Sequence, residues 1–146
     1  MEIGGSHEVS VGAPADRIMD ILLDIPGYTE WWPGVTEATV LEPGERPEIR
    51  LLVDTKTPIG QIELRARLTP ERPSRLGVER TGGKLDRLDG AWTLRDETGG
   101  GTVVRYDIEA EMDTGMPGFL EKPFREPAKR FLVNEPVEAL KRRAEG

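Results

Sequence analysis

The segment between residues 101 and 112 constrains the fold of this chain more than any other feature. Its side chains alternate strictly, so that Val104, Tyr106 and Ile108 share one face and charged residues share the other. Successive side chains of a β-strand point to opposite faces, which predicts a strand with one apolar and one charged side. A sheet of that kind is stable only if another layer covers its apolar face.

The covering layer is predicted to be a C-terminal helix between residues 117 and 144. Its apolar residues approximate one helical stripe, which consists of Leu120, Phe124, Ala128, Phe131 or Leu132, Val137 and Leu140. Three prolines interrupt it, at positions 123, 127 and 136, and each interior proline removes a backbone hydrogen bond. We therefore expect a kinked helix that restarts near Asn134 with Pro136 in its first turn. We favour the view that these prolines fit the helix to a curved sheet, with a portal into the interior as the alternative.

The remaining pattern predicts an α+β chain in which the strands form an antiparallel meander. A strand at 7–11 precedes a helix that opens at Ala13-Pro14-Ala15-Asp16 and ends at Pro26-Gly27, and a short helical turn with three aromatic residues follows at 28–34. Further strands are predicted at 35–42, 47–56, 60–69, 75–81 and 87–97, separated by short Pro- and Gly-containing turns. Short connections favour antiparallel pairing. No linker is recognisable, so residues 1–146 are expected to form one domain.

Composition excludes several classes of function. The net charge of −7 and the pI near 4.9 argue against nucleic acid and against anionic membrane surfaces as partners. The chain has no cysteine and only one histidine, His7, which argues against a metal site, and no cofactor motif is recognisable. The three serines do not lie in a nucleophile elbow. Without a signal peptide or a long apolar run, the expected location is the cytoplasm, and no stable membrane insertion is expected. Monomer and homodimer both remain open.

Two blocks carry a resemblance to a known family. They are Val-Ser-Val-Gly-Ala-Pro-Ala-Asp-Arg-Ile at 9–18 and Leu-Leu-Asp-Ile-Pro-Gly-Tyr-Thr-Glu-Trp-Trp-Pro-Gly-Val at 22–35. They resemble the opening of the START-like (SRPBCC) superfamily, and in particular its polyketide cyclase/dehydrase and lipid-transport group. The resemblance implies a helix-grip fold: a curved antiparallel sheet wrapped around a long C-terminal helix, with two short helices after the first strand. It also implies a cavity between sheet and helix for lipids, sterols, polyketides or similar apolar molecules.

The phase of each strand then predicts which side chains line such a cavity. The expected ligand-binding residues are Tyr28, Trp31, Trp32, Leu51, Val53, Leu64, Ala66, Val78, Arg80, Trp92, Tyr106, Phe124 and Phe131. The buried phenol of Tyr106 needs a hydrogen-bond partner, for which a ligand and a backbone carbonyl are equal alternatives. We expect Arg80 to extend to water from the end of its strand, with a cation at the pocket mouth as the alternative. His7 is expected to be a hydrogen-bonded histidine near the sheet edge.

Two functions remain compatible with these residues. The first is binding or carrying a hydrophobic small molecule, which needs only a shaped apolar cavity. The alternative is a cofactor-independent polyketide aromatase/cyclase, for which Tyr106 and Arg80 are weak catalytic candidates. Cyclase members of the family place an arginine on an inward strand position, whereas Arg65 and Arg67 alternate with apolar residues and should point outward. This departure favours holding a molecule over reacting with it, and no catalytic residue is assigned.

Overall fold

A computed structural model describes residues 1–146 and contains a single seven-stranded antiparallel sheet. The strands are β1 (Glu2–Val11), β2 (Val35–Glu42), β3 (Glu48–Asp54), β4 (Gln61–Glu71), β5 (Arg75–Gly83), β6 (Arg87–Asp96) and β7 (Thr102–Glu111). Their order across the sheet is β1-β7-β6-β5-β4-β3-β2. The predicted meander from β2 to β7 is confirmed, and β1 completes the sheet by pairing with β7 over its whole length.

The helices lie in two places along the chain. Helix α1 (Ala15–Leu23), a 3₁₀ turn (Ile25–Gly27) and α2 (Tyr28–Trp31) connect β1 to β2. The C-terminal helix has three parts: α3 (Gly118–Lys129), a π-helical segment (Arg130–Asn134) and α4 (Glu135–Glu145). This is the helix-grip arrangement, with a long C-terminal helix against one face of the sheet.

The first strand is longer than its sequence pattern predicts. Alternation is visible from residue 7 to residue 11, but β1 begins at Glu2 and pairs with β7 as far as Glu111. Gly4 and Gly5 lie within the extra length, and two residues without side chains conceal the alternation. The other strands begin and end within two residues of their predicted limits.

Two glycines flank Ile108 of β7 on the neighbouring strands. Gly5 of β1 and Gly90 of β6 are its two cross-strand neighbours. A Cβ atom at Gly90 would overlap the backbone oxygen of Asp107, and one at Gly5 would overlap the side chain of Lys129. Two glycines in one line across three strands allow the backbones and the covering helix to approach closely. This approach lets the sheet curve around the C-terminal helix.

Only the second half of the C-terminal helix is buried as the apolar stripe predicts. Val137 and Leu140 of α4 are completely buried against the sheet, as is Val133 of the π-helical segment. Leu120, by contrast, is 46% exposed, and its neighbour Phe119 is 77% exposed. The expectation that Leu120 belongs to the buried stripe is therefore wrong. Helix α3 contacts β1, the edge strand of the sheet, so much of its surface has no layer to pack against.

The predicted break near Asn134 takes the form of a π-helical segment. The amide of Glu135 donates to the carbonyl of Arg130, five residues earlier, where an α-helix would use the carbonyl four residues earlier. Pro136 follows at the start of α4 and has no amide hydrogen to donate. A helix that loses a bond at this point can accommodate one additional residue per turn, which accounts for the position of the π-helical segment.

Candidate ligand-binding cavity

A cavity of about 50 Å³ lies between the sheet and the C-terminal helix. Strands β3, β4, β5, β6 and β7 supply most of its wall, α2 and the residue after it close one end, and the π-helical segment covers it. All the lining side chains are aliphatic or aromatic: Tyr28, Trp32, Ile49, Leu51, Leu64, Ala66, Leu68, Leu76, Val78, Leu88, Trp92, Tyr106 and Leu132. No charged side chain belongs to the wall.

Four aromatic rings form one end of this cavity. Tyr106 and Trp92 are direct cross-strand neighbours, and their rings stack with centroids 3.9 Å apart and planes inclined by 16°. Trp32 meets Trp92 edge to face at 6.0 Å, and Tyr28 lies 5.0 Å from Trp32. Offset-stacked and edge-to-face contacts are the favourable geometries for aromatic pairs. The result is a rigid aromatic end facing an otherwise aliphatic wall.

The two phenols at this end differ in their hydrogen bonding. The Tyr28 hydroxyl donates to the backbone carbonyl of Leu22 at the end of α1. Tyr106 is only 4% exposed, and its hydroxyl makes no hydrogen bond to any other group of the protein. Burial raises the pKa of both phenols above the ordinary value of 10.0, so both are protonated at neutral pH. A ligand and a backbone carbonyl were the alternative hydrogen-bond partners expected for the Tyr106 hydroxyl. In the structure no backbone carbonyl accepts a hydrogen bond from it.

The mouth of the cavity is marked by the lining residues that solvent can reach. Trp32, Leu64 and Leu132 are half-buried, whereas the other ten lining side chains are buried. They come from three different elements: the residue after α2, strand β4 and the π-helical segment. Leu64 lies next to a register shift in the pairing of β4 with β5. The cavity therefore opens where the π-helical segment passes the α2 end of the sheet.

The structure brings eight of the thirteen predicted binding residues together around the cavity. These are Tyr28, Trp32, Leu51, Leu64, Ala66, Val78, Trp92 and Tyr106. They include two of the three aromatic residues in the predicted helical turn. Whether these residues contact a ligand remains a prediction.

Five predicted residues lie elsewhere. Trp31 faces a surface depression beside α1, and Val53 is buried in the core opposite Val35, at the end of β3. Phe124 is half-buried on α3, outside the cavity wall. The remaining two, Arg80 and Phe131, differ from expectation for reasons that the local backbone makes clear.

Arg80 follows the inward phase of Leu76 and Val78 in sequence but is exposed. Its guanidinium Nε donates to the carbonyl of Leu85 in the turn between β5 and β6. Arg80 pairs with Ala66, and the next residue of β5, Thr81, has no partner in β4, so the regular alternation ends there. As expected, the arginine extends away from the interior, and it is not among the residues that line the cavity.

Phe131 and Leu132 were alternatives in the helical stripe, and the structure selects Leu132 for the cavity. Phe131 instead lies over Gly34, where its ring occupies the place that a Cβ atom would take. Consecutive residues of a helix point in different directions, so only one of the two can face the cavity. The π-helical segment decides which one, and an ideal helical periodicity cannot reveal that choice.

The histidine and the two arginines of β4 that were singled out in the sequence lie outside the cavity wall. The Nε2 atom of His7 is 2.9 Å from Oε1 of Glu138 on α4, which confirms a hydrogen-bonded histidine. Arg65 is exposed and pairs with Glu63, while Arg67 donates to the carbonyl of Arg46. Both arginines therefore point away from the cavity, as their alternation with Leu64, Ala66 and Leu68 predicts. No cluster of three or more metal-ligating side chains is found, and no helix is long and apolar enough to cross a membrane.

Comparison with known proteins identifies the family. The profile of the polyketide cyclase/dehydrase and lipid transport family matches residues 11–135. The chain belongs to this family. The match begins at the end of β1 and ends at the start of α4, so it spans every lining residue of the cavity. Comparison with curated protein sequences gives no significant match.

Solved structures of the same fold include members with different functions. The Zhui aromatase/cyclase from a Streptomyces species is 19% identical, covers 99% of this chain and 94% of its own, and gives a TM-score of 0.80. A START superfamily protein from Mycobacterium smegmatis is 20% identical, with 97% of both chains covered and a TM-score of 0.81. A STAR-related lipid transfer protein from Xanthomonas axonopodis is 20% identical, with 97% and 85% covered and a TM-score of 0.79. At this identity the likeness establishes the fold alone.

Proposed function

We propose that this protein binds and carries a hydrophobic small molecule in the cavity between the sheet and the C-terminal helix. The observation that carries the proposal is the wall itself, which consists entirely of aliphatic and aromatic side chains and connects to solvent at Trp32, Leu64 and Leu132. Transfer of apolar surface from water to such a wall is favourable by roughly 25 cal/mol per Å². The family to which the chain belongs includes lipid transport in its description, which supports the same function.

Binding requires the cavity to widen. Its volume of about 50 Å³ is well below the ~300–1,000 Å³ of pockets that enclose drug-sized ligands. The C-terminal helix can supply the extra space because α3 buries little of its surface and the π-helical segment lacks regular α-helical bonding. We propose that ligand uptake displaces Leu132 and Trp32 outward and leaves the buried sheet residues in place.

The second candidate function is a polyketide aromatase/cyclase. The observation that favours it is the unpaired Tyr106 hydroxyl, which could polarise a carbonyl group of a bound polyketide. An aldol closure also needs a group that accepts a proton, and the wall contains no carboxylate, histidine or other base. Arg80, the other weak candidate, lies outside the cavity. The geometry therefore supports binding better than catalysis.

Native mass spectrometry of the purified protein tests the binding function directly. We expect either a co-purified apolar molecule or uptake from a panel of fatty acids, sterols and aromatic polyketides, accompanied by a rise in the melting temperature. A variant that fills the cavity, Ala66→Phe, should lose uptake while the outward variant Arg65→Ala keeps it. Absence of any bound species and of any thermal shift across the panel would contradict the proposal. Turnover of a linear polyketide by the unaltered protein would instead establish the cyclase.

We further propose that residues 1–146 act as one domain in the cytoplasm, without stable membrane insertion and without nucleic acid as a partner. The acidic net charge of −7 supports this proposal because it repels both phosphate backbones and anionic lipid. Size-exclusion chromatography with light scattering distinguishes a monomer from a homodimer. Retention of the protein on anionic vesicles at physiological salt would overturn the membrane part of the proposal.

A further inference from the structure

The hydrogen-bonding groups of the cavity wall restrict the chemistry of the ligand. The wall contains no charged side chain, and its polar atoms are those of two phenols and two indoles. Of these, the Tyr28 hydroxyl already donates to Leu22. The indole N–H groups of Trp32 and Trp92 can only donate. The wall therefore offers hydrogen-bond donors and no side chain that is purely an acceptor.

The absence of charge in the wall argues for a neutral ligand. An ionised carboxylate or ammonium group transferred from water into an apolar site is very costly unless a partner compensates it. Arg80, the cation that the strand pattern placed among the lining residues, is exposed and donates to the carbonyl of Leu85. A fatty acid would have to leave its carboxylate outside the mouth, whereas a neutral molecule can enter completely.

Tyr106 is a wall residue whose donor group, like that of Trp92, makes no hydrogen bond within the protein. Its ring is fixed by stacking on Trp92 at 3.9 Å, so the hydroxyl has a defined position at the aromatic end. The residue is buried and lines the cavity. A buried donor without a partner costs free energy that a correctly placed acceptor recovers. Flat rings bound at this end would also stack against the indoles.

We propose that the cavity selects a neutral ring compound carrying a carbonyl oxygen, which accepts a hydrogen bond from Tyr106 at the aromatic end. This inference rests on the proposed binding function and narrows its ligand class. Tyr106 then acts as a specificity-determining residue: it distinguishes a ketone from the hydrocarbon of the same shape. Lipids that bind by a charged headgroup are not the preferred ligands.

The test uses two probes of nearly equal shape, 1-indanone and indane, with indane-1-carboxylate as a charged third probe. Calorimetry should give about fivefold tighter binding of the ketone than of the hydrocarbon to the unaltered protein. Tyr106→Phe should abolish this difference by weakening the binding of the ketone. The control is Arg65→Ala, which removes an exposed side chain that points away from the cavity and should preserve the preference. The carboxylate should bind at least about tenfold more weakly than the ketone.

Infrared spectroscopy of bound 1-indanone gives a readout that a change in packing alone would not produce. The carbonyl stretch should shift to lower frequency in the unaltered protein and in Arg65→Ala, and should return to its apolar-solvent value in Tyr106→Phe. Equal affinities of ketone and hydrocarbon without a carbonyl shift would overturn this inference and leave the proposed binding function standing. Equal affinities of ketone and carboxylate would overturn the preference for a neutral ligand. Failure of all three probes, together with a negative ligand panel, would overturn both.

Discussion

Replacement of Leu132 by alanine tests whether the π-helical segment guards the mouth of the cavity. Leu132 is half-buried and faces the cavity on one side, so its truncation removes less packing than the truncation of a core leucine. We expect Leu132→Ala to lower the free energy of unfolding by about 1 kcal/mol. Leu140 is completely buried in α4, and Leu140→Ala should cost about 3–4 kcal/mol. At roughly 3 °C per kcal/mol, the melting temperature should fall by about 3 °C and about 10 °C, respectively.

The same substitution should accelerate ligand exchange. A shorter side chain at the mouth requires less displacement when a ligand enters, so both association and dissociation should become several-fold faster. Stopped-flow fluorescence can follow binding because Trp32 and Trp92 belong to the cavity wall. The neighbouring variant Phe131→Ala is the control, since Phe131 covers Gly34 outside the cavity and should leave the rates unchanged.

Two results would refute this reasoning. If Leu132→Ala destabilised the protein as much as Leu140→Ala, Leu132 would be an ordinary core residue. If Leu132→Ala left both rate constants unchanged, the mouth would have to lie somewhere else along the cavity.

Three further substitutions or conditions test the fold and its buried phenols. Gly90→Ala should destabilise by more than about 2 kcal/mol because its Cβ would overlap a backbone oxygen of β7, whereas Gly118→Ala, in open space at the start of α3, should be neutral in thermal unfolding. The raised pKa values of Tyr28 and Tyr106 stabilise the fold below pH 10.0, and this contribution is lost as the pH rises above that value. Denaturant titrations should therefore show stability falling above pH 10, less steeply in Tyr106→Phe, and an equal slope would contradict the assigned cause. Phe119→Ser should change the free energy of unfolding by less than about 0.5 kcal/mol because the side chain is 77% exposed, and a larger loss would show that α3 packs more tightly than described.

The strands and their pairing could be predicted because period-two alternation is a local signal. In β7, every apolar residue between Val104 and Ala110 faces the core, as the sequence alone indicates. Gly82 and Gly83 end β5, although the sequence pattern places them in the turn that follows it. At Gly4 and Gly5 the pattern likewise misses part of a strand, because residues without side chains show no alternation although their pairing with β7 continues.

The cavity wall was harder to predict because it depends on irregularities in the strands and helices that the pattern of apolar residues does not show. The placement of Arg80 coincides with a register shift at the next residue of its own strand, Thr81, which has no partner in β4, and the alternation of apolar residues does not signal that shift. The choice of Leu132 over Phe131 depends on one additional residue in a helical turn. Trp31 and Trp32 are adjacent residues of the same type, so the sequence does not distinguish them. The position at which α2 ends, after Trp31, determines which indole faces the cavity. The pattern of apolar residues shows which side chains share a face within one strand or helix. It does not show where a register shift or a π-helical turn changes which residues face the core.

The π-helical segment has a consequence for how ligand preference could change in this chain. Deletion of one residue between 130 and 134 would allow an uninterrupted α-helix, and because the π-helical turn holds about one residue more than an α-helical turn, the parts of the helix on either side would keep nearly the same orientation. The change would be confined to the turn that carries Leu132, where a different side chain would lie over the cavity without any substitution in the sheet. The length of this helix is therefore as effective a determinant of what enters as the residues that form the wall.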